Sequence, residues 1–317
     1  MLEFRLEPAP VKVAGRVGSR WYAAEVCPGR KNHTMYANYW GLTEIPFRNT
    51  LDVRWFYQSP AHEEALARLL FLVENHRRCG VLSGAAGTGK SLLLSILRGE
   101  AARICGEVAH IDLFGRSSLE MLWEIVAELG VPAGPDDTAH RLWRKLHDHV
   151  LANRYSRSPL VLLLDHLDRA HADCMAVVER LQHLSSRGDT GLTLILGVRD
   201  ERAAVFAPVL REISDLRIEL VALDRTQTQQ YIETLLTRAG AVQSFFDPAA
   251  INRLFEETHG VPRHLNRLCD LALLAGMADH ATRIDESIVA AAAEELHVRL
   301  RSERAPVHFR HRFAAEV

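Results

Sequence analysis

A chain of 317 residues with 38 basic and 40 acidic side chains, for a formal net charge of −2, can bury a sizeable core but lacks the charge excess that would announce a nucleic-acid binder. At 48% hydrophobic and 25% charged residues it falls among ordinary globular proteins rather than disordered ones. Its longest apolar runs, Leu160 to Leu164 and Leu192 to Val198, are strand-length and far below the roughly 18 residues of a spanning helix, so no membrane insertion is expected.

In chain order, residues 1–35 carry scattered basic, Pro and Gly residues without periodicity and read as a loose extension. They lack the apolar core of an export signal, and because patterned sequence begins at Met35, that methionine is an alternative start. The five cysteines, Cys27, Cys79, Cys105, Cys174 and Cys269, are odd in number and unpaired in spacing, which points to reduced thiols and a cytoplasmic location. From His62 to Arg78, Leu66, Leu69, Leu70 and Val73 recur at helical spacing. Short apolar runs then alternate with helical patterns. The runs are Gly80 to Ser83, Val108 to Leu113, Leu160 to Leu164, Leu192 to Val198 and a weaker one at Leu216 to Val221; the helices are Leu92 to Ile104, Ser118 to Leu129, Thr138 to Tyr155 and Ala172 to Ser186. Strands that are apolar throughout predict a parallel sheet covered by helices on both faces. After about Leu223 only helices remain: Thr226 to Ala239, Pro248 to Thr258, Pro262 to Ala278 and Asp285 to Leu300. The expected organisation is an α/β core over 36–222, a helical lid over 223–300 and a basic tail over 301–317, in which His308 and His311 form an isolated pair without a metal-binding pattern.

Gly84-Ala85-Ala86-Gly87-Thr88-Gly89-Lys90-Ser91 satisfies the phosphate-loop pattern at every fixed position, after a strand and before a helix. Glycines admit positive φ and leave room for phosphate oxygens to approach backbone N–H groups. The helix N-terminus adds its dipole, Lys90 a point charge for the β and γ phosphates, and Ser91 a hydroxyl for Mg²⁺. The same metal wants a carboxylate at the end of a neighbouring buried strand, and Leu160 to Leu164 ends in Asp165. A P-loop NTPase binding ATP and Mg²⁺ is therefore predicted.

With these residues the chain resembles AAA+ ATPases of the general secretion pathway protein A type, a branch that includes ATPase regulators of DNA transposition. The resemblance opens at Tyr39-Trp40-Gly41-Leu42-Thr43-Glu44-Ile45-Pro46-Phe47, continues through Tyr57 and His62-Glu63-Glu64-Ala65-Leu66, and reaches Tyr231-Ile232, Arg238-Ala239-Gly240 and Gly260-Val261-Pro262-Arg263-His264-Leu265-Asn266. It implies that Arg263 senses the γ phosphate from the lid. Arg211 and Arg217 lie where the family places arginine fingers, and could equally be solvated or paired with Glu212, Asp215 and Glu219. Pro46, Phe47 and Tyr57 could line the adenine or be core residues. The sequence departs from the family at Asp165-His166, where glutamate usually follows the aspartate, and at Gly197-Val198-Arg199, where a polar residue usually adjoins the glycine. His166 could accept a proton or stand as a cation, Asp168 could substitute, and slow turnover is expected.

The implied function is a homo-oligomeric ATPase that remodels or recruits a macromolecular partner. The alternatives are a nucleotide-gated regulator that binds DNA or a transposase, and an assembly factor for a secretion machine. The last is disfavoured because the chain ends soon after the lid, without the membrane helix and peptidoglycan-binding segment that the resemblance associates with that role.

Overall fold

Three central strands with mainly apolar side chains on both faces, flanked by two edge strands that carry charged residues, form one parallel sheet, because only helices above and below can hide both surfaces. The computed structural model of the chain describes residues 12–17, 20–25, 32–186, 191–200 and 209–303. The expected tail beyond residue 303, including Arg304, Arg310, Arg312 and both tail histidines, lies outside them. The chain divides into two compact units: a core unit, residues 49–227 with 261–263, and a helical unit, residues 1–48, 228–260 and 264–317.

The core unit contains α2 (Pro60–Glu74), β3 (Cys79–Ser83), α3 (Lys90–Ile104), β4 (Glu107–Asp112), α4 (Ser118–Glu128), α5 (Ala139–Ser156), β5 (Leu160–Asp165), α6 (Cys174–Ser186), β6 (Leu192–Gly197) and β7 (Leu216–Glu219). The strand order is β4-β5-β6-β3-β7, every pair parallel. Alternation along β5 divides the core: Leu160, Leu162 and Leu164 join the cluster built with α4, α5 and α6, whereas Val161 and Leu163 join that of α2 and α3. Parallel pairing brings the carboxyl ends to one rim, the usual ligand edge of such sheets. There Asp112 of β4 stands in register with Asp165 of β5.

In the helical unit, α7 (Arg225–Arg238, its first three residues in the core unit), α8 (Pro248–Thr258), α9 (Pro262–Ala278, its first two residues in the core unit) and α10 (Glu286–Glu303) are preceded by α1 (Asn32–Tyr39) and by a hairpin of β1 (Lys12–Val17) and β2 (Arg20–Glu25). The hairpin falls within the stretch expected to be a loose extension. Its strands flank Gly18-Ser19 in the sequence, a two-residue turn signal, and Trp21 and Tyr22 favour the strand. Residues 36–48, expected to open the core, are bound into the helical unit instead. The Trp40 indole N–H donates to the Leu273 carbonyl at 2.9 Å, the Thr43 N–H to the Ala239 carbonyl at 2.8 Å, and the Tyr36 hydroxyl to Asp270 at 2.5 Å. Asn266 ties this segment further, accepting from the Tyr231 hydroxyl at 2.6 Å and donating to the Arg48 carbonyl at 3.1 Å.

The Tyr231–Asn266 bond is buried, so Asn266→Ala, which leaves the tyrosine hydroxyl without its acceptor, is expected to destabilise the protein by about 2 kcal/mol. Urea denaturation measures the loss, and amide exchange should rise around residues 46–49. A loss below about 0.5 kcal/mol would mean that the relay contributes less than an ordinary internal hydrogen bond.

Candidate functional site

The phosphate loop leaves β3 at Ser83 and enters α3 at Lys90. Gly84, Gly87 and Gly89 take φ values of +152°, +93° and +106°. Space as well as torsion demands glycine here: a Cβ on Gly84 would lie 2.5 Å from the Leu220 carbonyl oxygen, and one on Gly87 2.7 Å from Arg263 Cβ. The Lys90 ammonium, 8% exposed, donates to the Gly84 and Ala85 carbonyls at 2.7 and 2.8 Å. Burial holds its pKa below the ordinary lysine value, against the pull of Asp165, Asp200 and Asp168 and with a small addition from Arg263. Thr88 closes the turn internally, its hydroxyl donating to the Ala85 carbonyl at 3.0 Å. Ser91 is the second residue of α3. The expected loop residues are thus gathered around one buried cation at the end of β3.

Asp165 ends β5 and is 3% exposed; its Oδ1 accepts the His166 backbone N–H at 2.8 Å. Gly197 makes room for it, since a Cβ there would stand 2.6 Å from Asp165 Oδ1. His166 takes a left-handed conformation (φ 55°, ψ 33°) at the start of a short 3₁₀ turn, Leu167–Arg169. Its Nδ1–H donates to Asp112 Oδ1 at 2.8 Å, and in the neutral ring this leaves the lone pair on Nε2. Asp168 cannot serve as the substitute base considered from sequence. Its carboxylate is buried and consumed by Arg199, whose Nε donates to Oδ2 at 2.6 Å and whose backbone N–H donates to Oδ1 at 3.2 Å.

Arg263 lies with the core unit: its backbone N–H donates to the Gly87 carbonyl at 3.3 Å and its carbonyl accepts from Asn49 at 3.4 Å. Arg211 and Arg217 are exposed, Arg217 on edge strand β7. Asp215, considered as a partner for them, is bound by Arg78 at 3.1 Å. Pro46 and Phe47 are interior to the helical unit, where Phe47, 4% exposed, meets Phe246 edge-on at 6.3 Å, the geometry of a core aromatic. Tyr57 stays with the core unit, its hydroxyl pKa raised by burial and by Asp224.

Sequence reasoning missed three contributors. Asp112 also ends a strand, but one broken by His110, a weaker form of the signal that singled out Asp165. Arg199 stood in the segment that departs from the family pattern, but nothing in the sequence named Asp168 as its partner. His62 sits on the buried stripe of α2 with Ala65, Leu69, Leu72 and Val73, and a histidine on an apolar stripe was the available clue.

Residues 73–204 match the family model described as AAA domain. General secretion pathway protein A of Aeromonas hydrophila is 28% identical over 266 residues, covering 83% of this chain and 48% of the relative. The fold is that of AAA+ P-loop proteins, and the sequence is similar to general secretion pathway protein A. The chain spans about half the length of that relative. Solved structures with the same fold include Drosophila ORC bound to DNA (TM-score 0.66, 15% identity, 88% of this chain and 70% of that one) and Cdc6p from Pyrobaculum aerophilum (0.63, 19%, 79% and 70%). The Aeropyrum pernix ORC1 protein in complex with DNA is a third (0.61, 15%, 83% and 72%). Among the described residues, no helix of this chain is long and apolar enough to cross a membrane.

Because Asp168 is fully enclosed, Arg199→Met should strand a buried charge and cost about 3 kcal/mol, the scale found when one partner of a buried pair is removed. The double variant Arg199→Met/Asp168→Leu should recover most of it in urea melts. A single-variant loss below about 1 kcal/mol would reduce the pair to the strength of a surface contact.

Proposed function

We propose that this chain is a Mg·ATP-dependent ATPase that couples its nucleotide state to assembly with further copies of itself and to action on a macromolecular partner. The observation that carries the reading is the convergence on Lys90: its ammonium is bound by the carbonyls of a loop with three positive-φ glycines, and the charges of Asp165 and Arg263 act on it. Lys90 exchanges the Gly84 and Ala85 carbonyls for phosphate oxygens, and residues 84–89 present their amides to the anion. Ser91 and Asp165 offer the hard oxygen donors that suit Mg²⁺, which would neutralise phosphate charge and keep its other positions for water and phosphate. Arg263, joined to Gly87 through its backbone, reports the γ phosphate, and Arg211 or Arg217 serves a neighbouring subunit's site.

His166 takes the water-orienting position. Asp112 holds its Nδ1–H, so Nε2 accepts from the attacking water. An imidazole offers one lone pair where a carboxylate offers several, which favours slow turnover and a role as a nucleotide-gated regulator as much as a motor. We place the protein in the cytoplasm. The relative's printed name suggests a secretion machine as the site of action, and the DNA named with two structural neighbours makes duplex DNA the first partner to assay.

Lys90→Ala is expected to abolish ATP binding at micromolar nucleotide, since the loop loses its central cation. Unchanged affinity in isothermal titration would sink the site. For hydrolysis, a glutamate at 166 alone would add a carboxylate beside Asp112 and Asp165, so the informative variant is His166→Glu with Asp112→Asn. Its steady-state phosphate release at saturating Mg·ATP should exceed wild type by about tenfold, part of the roughly 10²- to 10⁴-fold that positioned bases contribute. A fast wild type that this double change cripples would make His166 an efficient base.

A further inference from the structure

The phosphate loop is held from outside by a side chain that neither pattern nor resemblance assigns to it. His62, in the first turn of α2, is 4% exposed, and its Nε2 lies 3.1 Å from the Thr88 carbonyl oxygen. A carbonyl only accepts, so Nε2 carries the proton. The other ring nitrogen, Nδ1, lies 2.7 Å from the hydroxyl of Ser59, the N-cap of α2, which donates to it. Ser59 Oγ also accepts the His62 backbone N–H at 3.3 Å, so cap and ring fix each other. Phe56 packs edge-on against the imidazole at 5.2 Å. Burial lowers the His62 pKa, which keeps the ring neutral and this tautomer in place, although the Thr88 bond pulls the other way.

The peptide joining Thr88 to Gly89 is planar and trans, so its C=O and N–H point in opposite directions. A donor that draws the Thr88 carbonyl toward α2 therefore turns the Gly89 N–H to the side away from α2. Gly89 itself is pressed by the same ring, since a Cβ there would stand 2.9 Å from His62 Nε2. Glycine is the residue that can both take φ +106° and lie this close to the imidazole.

We infer that His62, oriented by Ser59, is a positioning residue that aims the Gly89 amide at a bound phosphate group. This rests on the nucleotide reading above and adds a second determinant of affinity, remote in sequence from the loop.

The test is titration of the full chain with Mg·ATP and, separately, with inorganic pyrophosphate. His62→Ala should weaken both by about tenfold, equivalent to about 1.4 kcal/mol and within the range of an internal hydrogen bond. His62→Gln, whose amide N–H can reach the Thr88 carbonyl, should stay within about threefold of wild type, a rescue that a purely space-filling role would not give. A folded His62→Ala with wild-type affinities overturns the inference, and so does a His62→Gln as weak as His62→Ala. A wild type that binds neither probe overturns the nucleotide reading and this one with it. Should the alanine variant not fold, ring ¹⁵N shifts of wild-type His62, assigned against His62→Gln, decide: the Nε2–H tautomer is expected, and the Nδ1–H tautomer would break the argument.

Discussion

The structure depends on one constraint: a loop of six residues with three glycines at positive φ has too little internal bonding to hold its own shape. Residues 84–89 are therefore fixed from outside, by a different part of the core unit at each glycine. The Leu220 carbonyl, just past β7, crowds Gly84; Val261 and Arg263 crowd Gly87; His62 of α2 crowds Gly89. None of these approaches leaves room for a Cβ, so the glycines serve packing as much as torsion. Backbone bonds secure the same points, with Asp200 N–H to Gly84 O at 3.3 Å, Arg263 N–H to Gly87 O at 3.3 Å and Leu220 N–H to Ser83 O at 2.8 Å. A loop held this way can present its amides without rearranging, which is how preorganised donors gain their strength.

The same rim gathers more carboxylates than a nucleotide needs, and hydrogen-bond accounting separates them. Asp168 is committed to Arg199 through both oxygens, which makes it a clamp between the segment after β5 and the end of β6. Asp112 is committed to His166. Asp165 gives one oxygen to the His166 backbone and lies 3.6 Å from that ring through the other, so it is the least engaged of the three and also stands first among the charges acting on Lys90. Burial without saturation fits the magnesium role proposed for Asp165. His166 in turn cannot swing freely: a left-handed backbone, the Asp112 bond and the edge of the Phe114 ring at 6.3 Å set its plane.

What could be read from the chain was whatever its own neighbourhood encodes. The five strands and the helices between them begin and end within a few residues of the positions expected, because apolar runs and 3.6-residue spacing are local signals, and Pro248–Thr258 and Pro262–Ala278 coincide with the expected helices. The phosphate loop and Asp165 were legible for the same reason. Partners 26, 31 and 54 residues apart were not: His62 with Thr88, Asp168 with Arg199, Asp112 with His166. Each pair exists only once the parallel register has set strand ends side by side or an N-terminal helix against the loop. The attachment of residues 36–48 to the helical unit failed to show because its bonds, Trp40 to Leu273 and Thr43 to Ala239, span about two hundred residues. Yet His62 carried one trait visible beforehand, a polar group where the pattern demands an apolar one. An ionisable residue on a buried face must find a partner or lose stability, and the only partners strong enough are other buried polar groups. Such residues thus mark the places where distant parts of the chain must meet, even when the sequence cannot name the other side.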